Sequence, residues 1–252
     1  MKTLAVIPAR FESSRFPGKM LADLNGMPVI LHTVKQASKA CGLDEVLVAT
    51  DDTRIFDVVS RAGFPVCMTR TDHQSGTDRI VEAVKDLAVD LVVNVQGDEP
   101  FINPGMIDLL IQRMQQTDSP DIATACTSIT SLEELKAPSV VKVVLDVNNC
   151  ALYFSRSIIP FARDQNPETL LNKDVYFRHL GIYAYRKAFL EKWESYPPHP
   201  LENIEKLEQL RALARGAKIA VIETEQMVPG IDTPEDLQNA LKFLTRLSES
   251  PL

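Results

Sequence analysis

The stretch KTLAVIPARFESSRFPGK, residues 2–19, decides the predicted fold. Its apolar run, Leu4 to Ile7, breaks at Pro8, and apolar residues return at helical spacing from Ile30, which predicts a strand, a loop and a helix. The loop carries three cations, Arg10, Arg15 and Lys19. Because loops at the carboxyl ends of parallel strands bind ligands in open α/β sheets, these cations indicate a polyphosphate site. A solvated loop with scattered charges is the alternative, since neither the Walker phosphate-loop pattern nor GxGxxG is present.

The first half of the chain alternates predicted strands with predicted helices. Further strands are predicted at 46–50, 65–68, 91–95 and 122–127. Helices are predicted at 30–41, ending before Gly42, and at 53–61, 80–87 and 104–114. This alternation is typical of an α/β fold built on a parallel sheet.

The pattern changes after about Ala137. The segments VVKVVLD and ALYFSR, on either side of Asn148-Asn149, are predicted as paired extended strands. The remaining elements are predicted as a loop at 161–175, a strand at 177–186, helices at 187–195 and 202–215, a strand at 218–222 and a helix from Thr233-Pro234. We therefore predict one domain, residues 1–252, with a mainly parallel sheet flanked by helices and an antiparallel insertion at about 140–186.

The composition argues against several classes of function. The chain has 252 residues, a formal net charge of -7 and a sequence pI near 5.2, which disfavours general nucleic-acid or anionic-membrane binding. No apolar stretch approaches the roughly 20 residues of a membrane span, and the first strand follows Met1 directly, so neither a span nor a signal peptide is expected. The cysteines form no CxxC pair and are expected to be reduced thiols of a cytoplasmic protein.

Two acidic segments border predicted elements, and the first of them is a candidate for metal binding. QGDEP, 96–100, ends a buried strand with a glycine turn and presents Asp98 and Glu99. Carboxylates near a phosphate loop suit Mg²⁺, although a turn aspartate that binds local N–H groups is an equal alternative. In IDTPED, 231–236, Asp232 or Thr233 before Pro234 is expected to cap the following helix, with Asp236 completing the capping pattern.

Two further segments carry polar side chains next to predicted elements. Ser75 and Gly76 precede a helix, where they could contact a base or a ribose, or could cap that helix. In FRHLGIYAYR, strand alternation places His179, Tyr183 and Tyr185 on the face opposite the core face. This arrangement predicts that the polar rings face a cleft or a partner.

The predicted helix 202–215 has an unusual apolar arc. Arg211 falls within the arc that includes Ile204 and Leu207, and Glu208 lies at its edge. A charged pair on a buried face usually has a partner or a ligand, and an ordinary i,i+3 pair is the alternative.

Taken together, these segments resemble the 3-deoxy-manno-octulosonate cytidylyltransferase (CMP-Kdo synthetase) family. The matching strings, in the family's order along the whole chain, are PARFESSRFPGK, VATDD, MTRTDHQSGTDR, VNVQGDEP, VKVVLD, ALYFSRSIIPF, RHLGIYAYR, LEQLRALARG and IDTPED. The resemblance implies the nucleotide-diphospho-sugar transferase fold and a homodimer. It also implies synthesis of CMP-Kdo and pyrophosphate from CTP and Kdo in the cytoplasm, for lipopolysaccharide biosynthesis. Two departures, Met20 after Lys19 and Phe16 in place of the usual Leu, leave the cations unchanged.

The resemblance further implies roles for individual residues. The residues implied for the CTP phosphates are Arg10, Arg15 and Lys19. Those implied to border the nucleotide are Pro8, Ala9, Thr50, Asp51, Ser75 and Gly76. Those implied to contact the sugar acid are Gln96, Arg156, His179, Tyr183 and Glu208, with Arg178 and Gln209 as further candidates. Asp98 and Asp232 are implied to hold Mg²⁺, and with Arg10 and Lys19 they form the implied catalytic set.

Three alternatives stay open at the level of the sequence. The first is the same reaction on a related acid sugar, 8-amino Kdo or sialic acid. The second is a glycosyltransferase that uses a nucleotide sugar, although QGDEP lacks the Asp-x-Asp spacing often found there. The third is a catalytically inactive nucleotide-binding regulator. No side chain is assigned as a general base.

Overall fold

The computed structural model describes residues 1–13, 15–73, 75–116, 118, 120–171, 173–225 and 230–249, with only the backbone described at 247–249. The chain divides into two compact units, Met1–Asp108 with Val228–Leu252, and Leu109–Met227. We call them unit 1 and unit 2 and describe each by itself. The prediction of a single domain therefore stays a prediction.

Unit 1 is built on a parallel sheet. Its strands are β1 (Thr3–Ala9), β4 (Glu45–Thr50), β5 (Val66–Met68) and β6 (Leu91–Asn94), in the spatial order β6-β1-β4-β5. Ala5 of β1 pairs in register with Val46 on one side and with Val93 on the other. All four residues of β6 are buried, as its continuous apolar run predicts for a central parallel strand. The predicted parallel sheet is confirmed.

The helices of unit 1 follow the predicted order, but the helix predicted at 80–87 begins and ends earlier, at Gly76–Val84, because Ser75 caps it. They are α1 (Val29–Ala37), α2 (Thr53–Arg61), α3 (Gly76–Val84) and α9 (Pro234–Glu249); the boundary between the units falls within α4 (Pro104–Met114). The predicted end of α1 at Gly42 is wrong. The helix ends earlier because the chain turns at Ser38, whose hydroxyl donates to the carbonyl oxygen of Val34 at 2.8 Å.

A short hairpin between the basic loop and α1 was not predicted. Its strands are β2 (Asp23–Leu24) and β3 (Met27–Pro28), joined by Asn25 and Gly26 with φ angles of 56° and 82°. Two successive positive φ angles are typical of a tight hairpin turn, for which Asn-Gly is the preferred sequence. The Asn25-Gly26 pair was therefore a sequence signal for this hairpin.

Unit 2 contains a mixed sheet. Its strands are β7 (Ile122–Ser128), β8 (Lys142–Leu145), β9 (Ala151–Ser155), β10 (Phe177–Arg186) and β11 (Ile219–Glu223). β11 runs parallel to β7, whereas β10 is antiparallel to β7 and to β8, and β8 pairs with β9 as an antiparallel hairpin. The predicted antiparallel part is confirmed, including the paired segments around Asn148-Asn149.

The helices of unit 2 correct one prediction. They are α5 (Leu132–Lys136), α6 (Lys187–Trp193), α7 (Pro200–Glu205) and α8 (Gln209–Ala214). The predicted continuous helix 202–215 is wrong, because Lys206 adopts a left-handed conformation with φ 55° and ends α7. The break buries Leu207 but leaves Ile204 77% exposed, so these residues share no apolar arc. Among the described residues, no helix combines the length and apolar character needed to cross a membrane.

Candidate functional site

Four charged side chains of unit 1 meet in one cluster, which we call the charge cluster. Lys19 Nζ contacts Asp98 Oδ2 closely and lies 3.1 Å from Asp232 Oδ1. The second oxygen of Asp232 lies 3.0 Å from Nη2 of Arg15. Lys19 is only 8% exposed, whereas Arg15 lies at the surface. Residues 213 positions apart along the chain are thereby joined through one ammonium group.

Local hydrogen bonds explain why Asp232 is available to this cluster. The N–H of Ile231 donates to the carbonyl oxygen of Asp98 at 2.8 Å, which brings the two acidic segments together. Thr233 and Asp236 cap α9: the Asp236 carboxylate accepts the N–H groups of Asp232 and Thr233 at 3.0 and 2.8 Å. The hydroxyl of Thr233 in turn accepts the N–H of Asp236 at 3.2 Å. Capping therefore falls to Thr233 and Asp236, and the carboxylate of Asp232 is directed to Lys19.

An apolar cluster supports the same arrangement. Leu24, Val29, Ile231 and Ala240 are fully or almost fully buried together, and Phe16 of the basic loop packs against them. Because one contact set includes the loop, the hairpin, the 231 segment and α9, burial of apolar surface holds the cationic loop beside the second acidic segment. The aromatic ring of Phe16 takes part in this packing.

Two glycines allow close approaches around the loop. Gly18 has a φ of 72°, and a Cβ there would lie 3.0 Å from the ring of Phe11, on which the guanidinium of Arg54 also stacks at 3.3 Å. At Gly97, a Cβ would lie 3.0 Å from the sulfur of Met20 and 3.1 Å from the carbonyl oxygen of Pro8. The end of β1 and the turn before Asp98 are therefore packed directly against each other.

Glu99 differs from its neighbour Asp98 in its electrostatics. Burial, together with the adjacent charge of Asp98, raises the pKa of Glu99 to about 8. At neutral pH Glu99 is therefore mainly protonated, which makes it a poor cation ligand and leaves Asp98 as the candidate ligand of QGDEP.

The residues predicted to border the nucleotide lie at the carboxyl ends of β1 and β4 and at the start of α3. Thr50 is fully buried, and Asp51 forms an ion pair of 2.6 Å with Arg79. Ser75 caps α3 by accepting the N–H of Asp78 at 3.1 Å, and a Cβ at Gly76 would lie 3.5 Å from Pro8. Ser75 therefore serves as the cap that the alternative reading proposed.

Arg79 was missed by the sequence reasoning. It is 4% exposed, and its guanidinium contacts the carboxylate of Asp51 and the hydroxyl of Thr69. The sequence feature that could have identified Arg79 is its position: it is a cation near the start of an amphipathic helix, directly after a predicted binding loop. Ala9 is buried, and Arg10, which follows β1 directly, is exposed.

The donor set of the charge cluster fits a hard divalent cation that is shared with a ligand. Among the described residues, no three side chains of His, Cys, Asp or Glu are grouped to hold a metal alone. Two carboxylates, Asp98 and Asp232, nevertheless converge on one point, which Lys19 occupies here. Mg²⁺ is usually coordinated by one or two protein carboxylates, with phosphate oxygens and water molecules as the remaining ligands.

In unit 2, the predicted sugar-binding rings form an aromatic row. His179 lies 4.9 Å from Phe154 and 5.4 Å from Tyr183 between ring centroids, and Tyr183 stacks on Tyr185 at 5.7 Å. His179 Nε2 also lies 3.0 Å from the hydroxyl oxygen of Thr124. The three rings share one face as predicted, opposite Cys126, Thr124 and Ile122 of β7. Tyr185 does not face a cleft, because it is 5% exposed and stacks on Phe189 at 6.3 Å as well as on Tyr183.

Burial keeps this row uncharged. It lowers the pKa of His179 to about 3 and raises the pKa of Tyr183 well above its usual value. Both side chains are therefore neutral at physiological pH, so they can offer hydrogen bonds but no charge.

The other predicted sugar contacts are distributed between the units. Gln96, in unit 1, donates to Asn94 Oδ1 at 3.3 Å. In unit 2, the guanidinium of Arg156 donates to the carbonyl oxygens of Glu205 and Pro138 at 2.8 and 2.9 Å. Glu208 immediately precedes α8 and is partly buried. The structure thus groups the nucleotide and metal candidates within unit 1 and most of the sugar candidates within unit 2.

Comparison with known proteins places this geometry in a family. The cytidylyltransferase family model matches residues 4–219. A curated relative, the 3-deoxy-manno-octulosonate cytidylyltransferase of Geobacter sulfurreducens, is 44% identical over 249 residues, which cover 97% of this chain and 100% of the relative.

Solved structures give the same result for the fold. CMP:2-keto-3-deoxy-manno-octonic acid synthetase complexed with CTP matches with a TM-score of 0.92 and 43% identity, covering 98% of this chain and 99% of that chain. A putative glucose-1-phosphate thymidylyltransferase from Bacillus anthracis matches at a TM-score of 0.67 with 17% identity, covering 96% and 94% of the two chains. The second match shows a shared fold alone. The predicted mixed α/β nucleotidyltransferase fold is confirmed.

Proposed function

The chain belongs to the 3-deoxy-manno-octulosonate cytidylyltransferase family, and from this premise we propose that it makes CMP-Kdo and pyrophosphate from CTP and Kdo. The anomeric hydroxyl oxygen of Kdo forms a bond to the α-phosphorus of CTP. The bond from that phosphorus to the bridging oxygen of the β-phosphate breaks, and pyrophosphate leaves with the electron pair. The observation that carries the proposal is the convergence of Asp98 and Asp232 on Lys19, with Arg15 alongside.

The charge balance of the cluster suits a triphosphate ligand. Two carboxylates and two cations neutralise each other in the free chain, with Lys19 between the acids. A triphosphate carries several negative charges, so its arrival would draw Arg15 and Lys19 toward phosphate oxygens. This movement would free both carboxylates. Arg10, exposed directly after β1, completes the set of cations for the phosphates.

The freed carboxylates, Asp98 and Asp232, would hold Mg²⁺ together with phosphate oxygens. Bound there, the ion supplies Lewis-acid polarisation of the phosphoryl oxygens and can acidify a nearby hydroxyl. Arg10, Arg15 and Lys19 would stabilise the charge that develops on the leaving pyrophosphate. The contribution of the protein is thus to hold the reactants in line and to neutralise charge, and no side chain is assigned as a general base.

The base and ribose would be bordered by the ends of β1 and β4 and the start of α3. The residues proposed for that role are Pro8, Ala9, Thr50, Asp51, Ser75 and Gly76. Asp51 is oriented by its ion pair with Arg79, which fixes one carboxylate oxygen and leaves the other available to a ligand. Arg79 therefore acts as support for Asp51.

The sugar acid would be recognised by neutral hydrogen-bonding groups with one cation. The proposed contacts are Gln96, Arg156, His179, Tyr183 and Glu208. Neutral His179 and the hydroxyl of Tyr183 suit the hydroxyl groups of a sugar, and Arg156 suits its carboxylate. These roles rest on the resemblance and on the clustering of His179 with Tyr183 in unit 2.

The setting of the reaction follows from the same premise. CMP-Kdo is a precursor for lipopolysaccharide, and we propose that it is made here in the cytoplasm, consistent with four free cysteine thiols. We also propose a homodimer formed through the segment 140–186. That segment presents Leu152 and Phe161, which are 61% and 84% exposed. Sedimentation of Phe161→Ser against the parent chain tests this interface, and an unchanged dimer would exclude Phe161 from it.

The experiment that tests the function is pyrophosphate release with CTP, Mg²⁺ and Kdo, compared with the omission of each component. We expect release only when all three are present. Parallel assays with 8-amino Kdo and sialic acid identify the sugar, because only the correct substrate supports turnover at low concentration. Nucleotide binding without pyrophosphate release would favour the inactive regulator, and release that needs no acid sugar would contradict the proposal.

A further inference from the structure

Lys142 of β8 is a buried cation to which neither the sequence reasoning nor the proposed chemistry gives a role. Its side chain is fully buried. Its ammonium donates to three backbone carbonyl oxygens, those of Ala137, Val140 and Arg156, at 3.1, 2.6 and 2.6 Å. These bonds use all three donors of the group. Burial, with the nearby charge of Arg156, lowers the pKa of Lys142.

The first connection of Lys142 leads to His179. The N–H of His179 donates to the carbonyl oxygen of Val141 at 2.8 Å, directly beside Lys142. Lys142 itself pairs in register with Arg178 across the β8–β10 ladder. The ammonium also binds the carbonyl oxygens of Ala137 and Val140, so it fixes the segment 137–141, whose last carbonyl oxygen accepts the N–H of His179.

The second connection leads to Arg156 and from there to the break between α7 and α8. Lys142 holds the carbonyl oxygen of Arg156, whose guanidinium donates to the carbonyl oxygen of Glu205 at 2.8 Å. The carboxylate of Glu205 in turn accepts the hydroxyl of Ser155 at 2.6 Å and the N–H of Arg156 at 2.9 Å. Glu205 is the last residue of α7, three positions before Glu208.

One ammonium group is therefore linked, through backbone groups, to three of the residues proposed for the sugar acid. His179 is reached through Val141, Arg156 directly, and the segment before Glu208 through Arg156 and Glu205. A buried lysine needs such partners, because leaving an ammonium or three carbonyl oxygens without hydrogen bonds costs free energy. An apolar side chain of similar volume could fill this buried position without loss of stability. Packing alone therefore does not explain why an ammonium group with three backbone hydrogen bonds is present.

We propose that Lys142 is a positioning residue of the acid-sugar site, which holds Arg156 and His179 in place without touching the substrate. The inference rests on the proposed function, since it concerns the geometry of the sugar contacts. It distinguishes Lys142 from the cations of the charge cluster, which are proposed to bind phosphate.

The test compares Lys142→Met with Val143→Ala. Val143 is the next residue of β8 and is also fully buried, so its truncation destabilises the same strand and leaves the ammonium in place. For each variant the KM for Kdo, the KM for CTP, kcat and the thermal midpoint are measured by pyrophosphate release and thermal unfolding. We expect Lys142→Met to raise the KM for Kdo about tenfold, with the KM for CTP within about twofold of the parent value. Val143→Ala should lower the midpoint and leave both KM values unchanged.

A purely structural role predicts a different result. In that case Lys142→Met would lower the thermal midpoint and leave the KM for Kdo unchanged, or would alter both KM values equally, and either outcome overturns the inference. If Lys142→Met does not fold, Glu205→Ala removes the two carboxylate bonds that hold Ser155 and the N–H of Arg156, at a partly exposed position of the same network. A selective rise in the KM for Kdo would then support the route, and an unchanged value would overturn it.

The same assay separates this inference from the proposed function. A parent protein that releases no pyrophosphate with Kdo overturns both. A parent that is active with Kdo, together with a Lys142→Met variant of unchanged KM for Kdo, overturns only the positioning role.

Discussion

The charge cluster of unit 1 and the aromatic row of unit 2 differ in their electrostatics: the first consists of paired charges and the second of buried neutral groups. In unit 1, the carboxylates of Asp98 and Asp232 form ion pairs with the cations Lys19 and Arg15. In unit 2, burial without a counter-charge leaves His179 neutral, and the row is completed by rings and a hydroxyl. Under the proposed roles, phosphate chemistry and sugar recognition would therefore use separate environments, of which the first is charged and the second is neutral.

The largest expected effect comes from removing one charge of the cluster. Asp98→Asn keeps the size of the side chain, but it removes a cation ligand and the partner of Lys19. We expect kcat to fall by ~10²–10³ or more while the thermal midpoint stays close to that of the parent. Steady-state pyrophosphate release and thermal unfolding measure the two quantities.

The matched control for this variant is Asp57→Asn, which removes a carboxylate from an exposed pair with Arg61 in the same unit. It should leave kcat unchanged. Normal turnover and normal Mg²⁺ dependence in Asp98→Asn would remove Asp98 from the site.

The second prediction separates the two roles of Lys19. If Lys19 occupies the cation position in the free chain, Lys19→Met should raise the affinity of the nucleotide-free protein for Mn²⁺ by about tenfold or more. The reason is that like charges ~4 Å apart repel by roughly 4 kcal/mol at an effective dielectric of 20. The same variant should lose turnover, because a phosphate contact is missing. Electron paramagnetic resonance of free Mn²⁺ measures the binding.

Lys39→Met serves as the control for Lys19→Met, because the ammonium of Lys39 is exposed and donates to the side chain of Gln36 in α1. It should change neither turnover nor Mn²⁺ affinity. Weaker Mn²⁺ binding by Lys19→Met than by the parent protein would show that the ammonium does not compete with the cation.

A third prediction concerns the neutral region. His179→Ala removes a ring that lies 3.0 Å from the hydroxyl of Thr124 and contacts Tyr183. We expect the KM for Kdo to rise about tenfold, the size of one lost hydrogen bond, with CTP affinity retained. Titration with each substrate separates the two affinities, and an equal loss of both would contradict the assignment of His179 to the sugar.

The smallest expected effect is a pH dependence of stability that belongs to unit 2. His179 has a pKa of about 3 in the folded chain against an ordinary 6.5, so between these values the unfolded state binds a proton that the native state does not. The free energy of unfolding should therefore decrease as the pH falls below about 6.5, by at most about 1.4 kcal/mol per pH unit from this group.

Urea unfolding at several pH values measures this slope. His179→Gln should flatten it, whereas His199→Asn, which replaces the capping side chain of α7 by another good cap, should retain it. An identical slope in His179→Gln and the parent would exclude His179 as its source.

The sequence was most informative where local pattern decides structure. The predicted bounds of α2, α4 and β10 come from apolar periodicity and from the turn residues that flank each segment. They are identical to the bounds in the structure. The convergence of Asp98 and Asp232 was predictable only through resemblance to a family, because no local signal joins segments so far apart. Their geometry is now described, and their roles stay predictions.

What the sequence did not predict depends on tertiary contacts. The break at Lys206 is stabilised by Arg156, which directly follows β9 and donates to the carbonyl oxygen of Glu205. Helical periodicity alone does not reveal this contact, so the predicted helix continued through the break. Lys142 and Arg79 are hidden for a similar reason. Each is a cation within an apolar segment, and its role depends on partners that lie elsewhere in the chain.

The central claim is that Asp98 and Asp232 act as one unit, and a double-mutant cycle on kcat tests it most directly. The account predicts that Asp98→Asn with Asp232→Asn loses no more turnover than the more damaging single substitution, because either change already disables the shared cation position. Losses that multiply in the double variant would contradict the account, since they would show that the two carboxylates act independently.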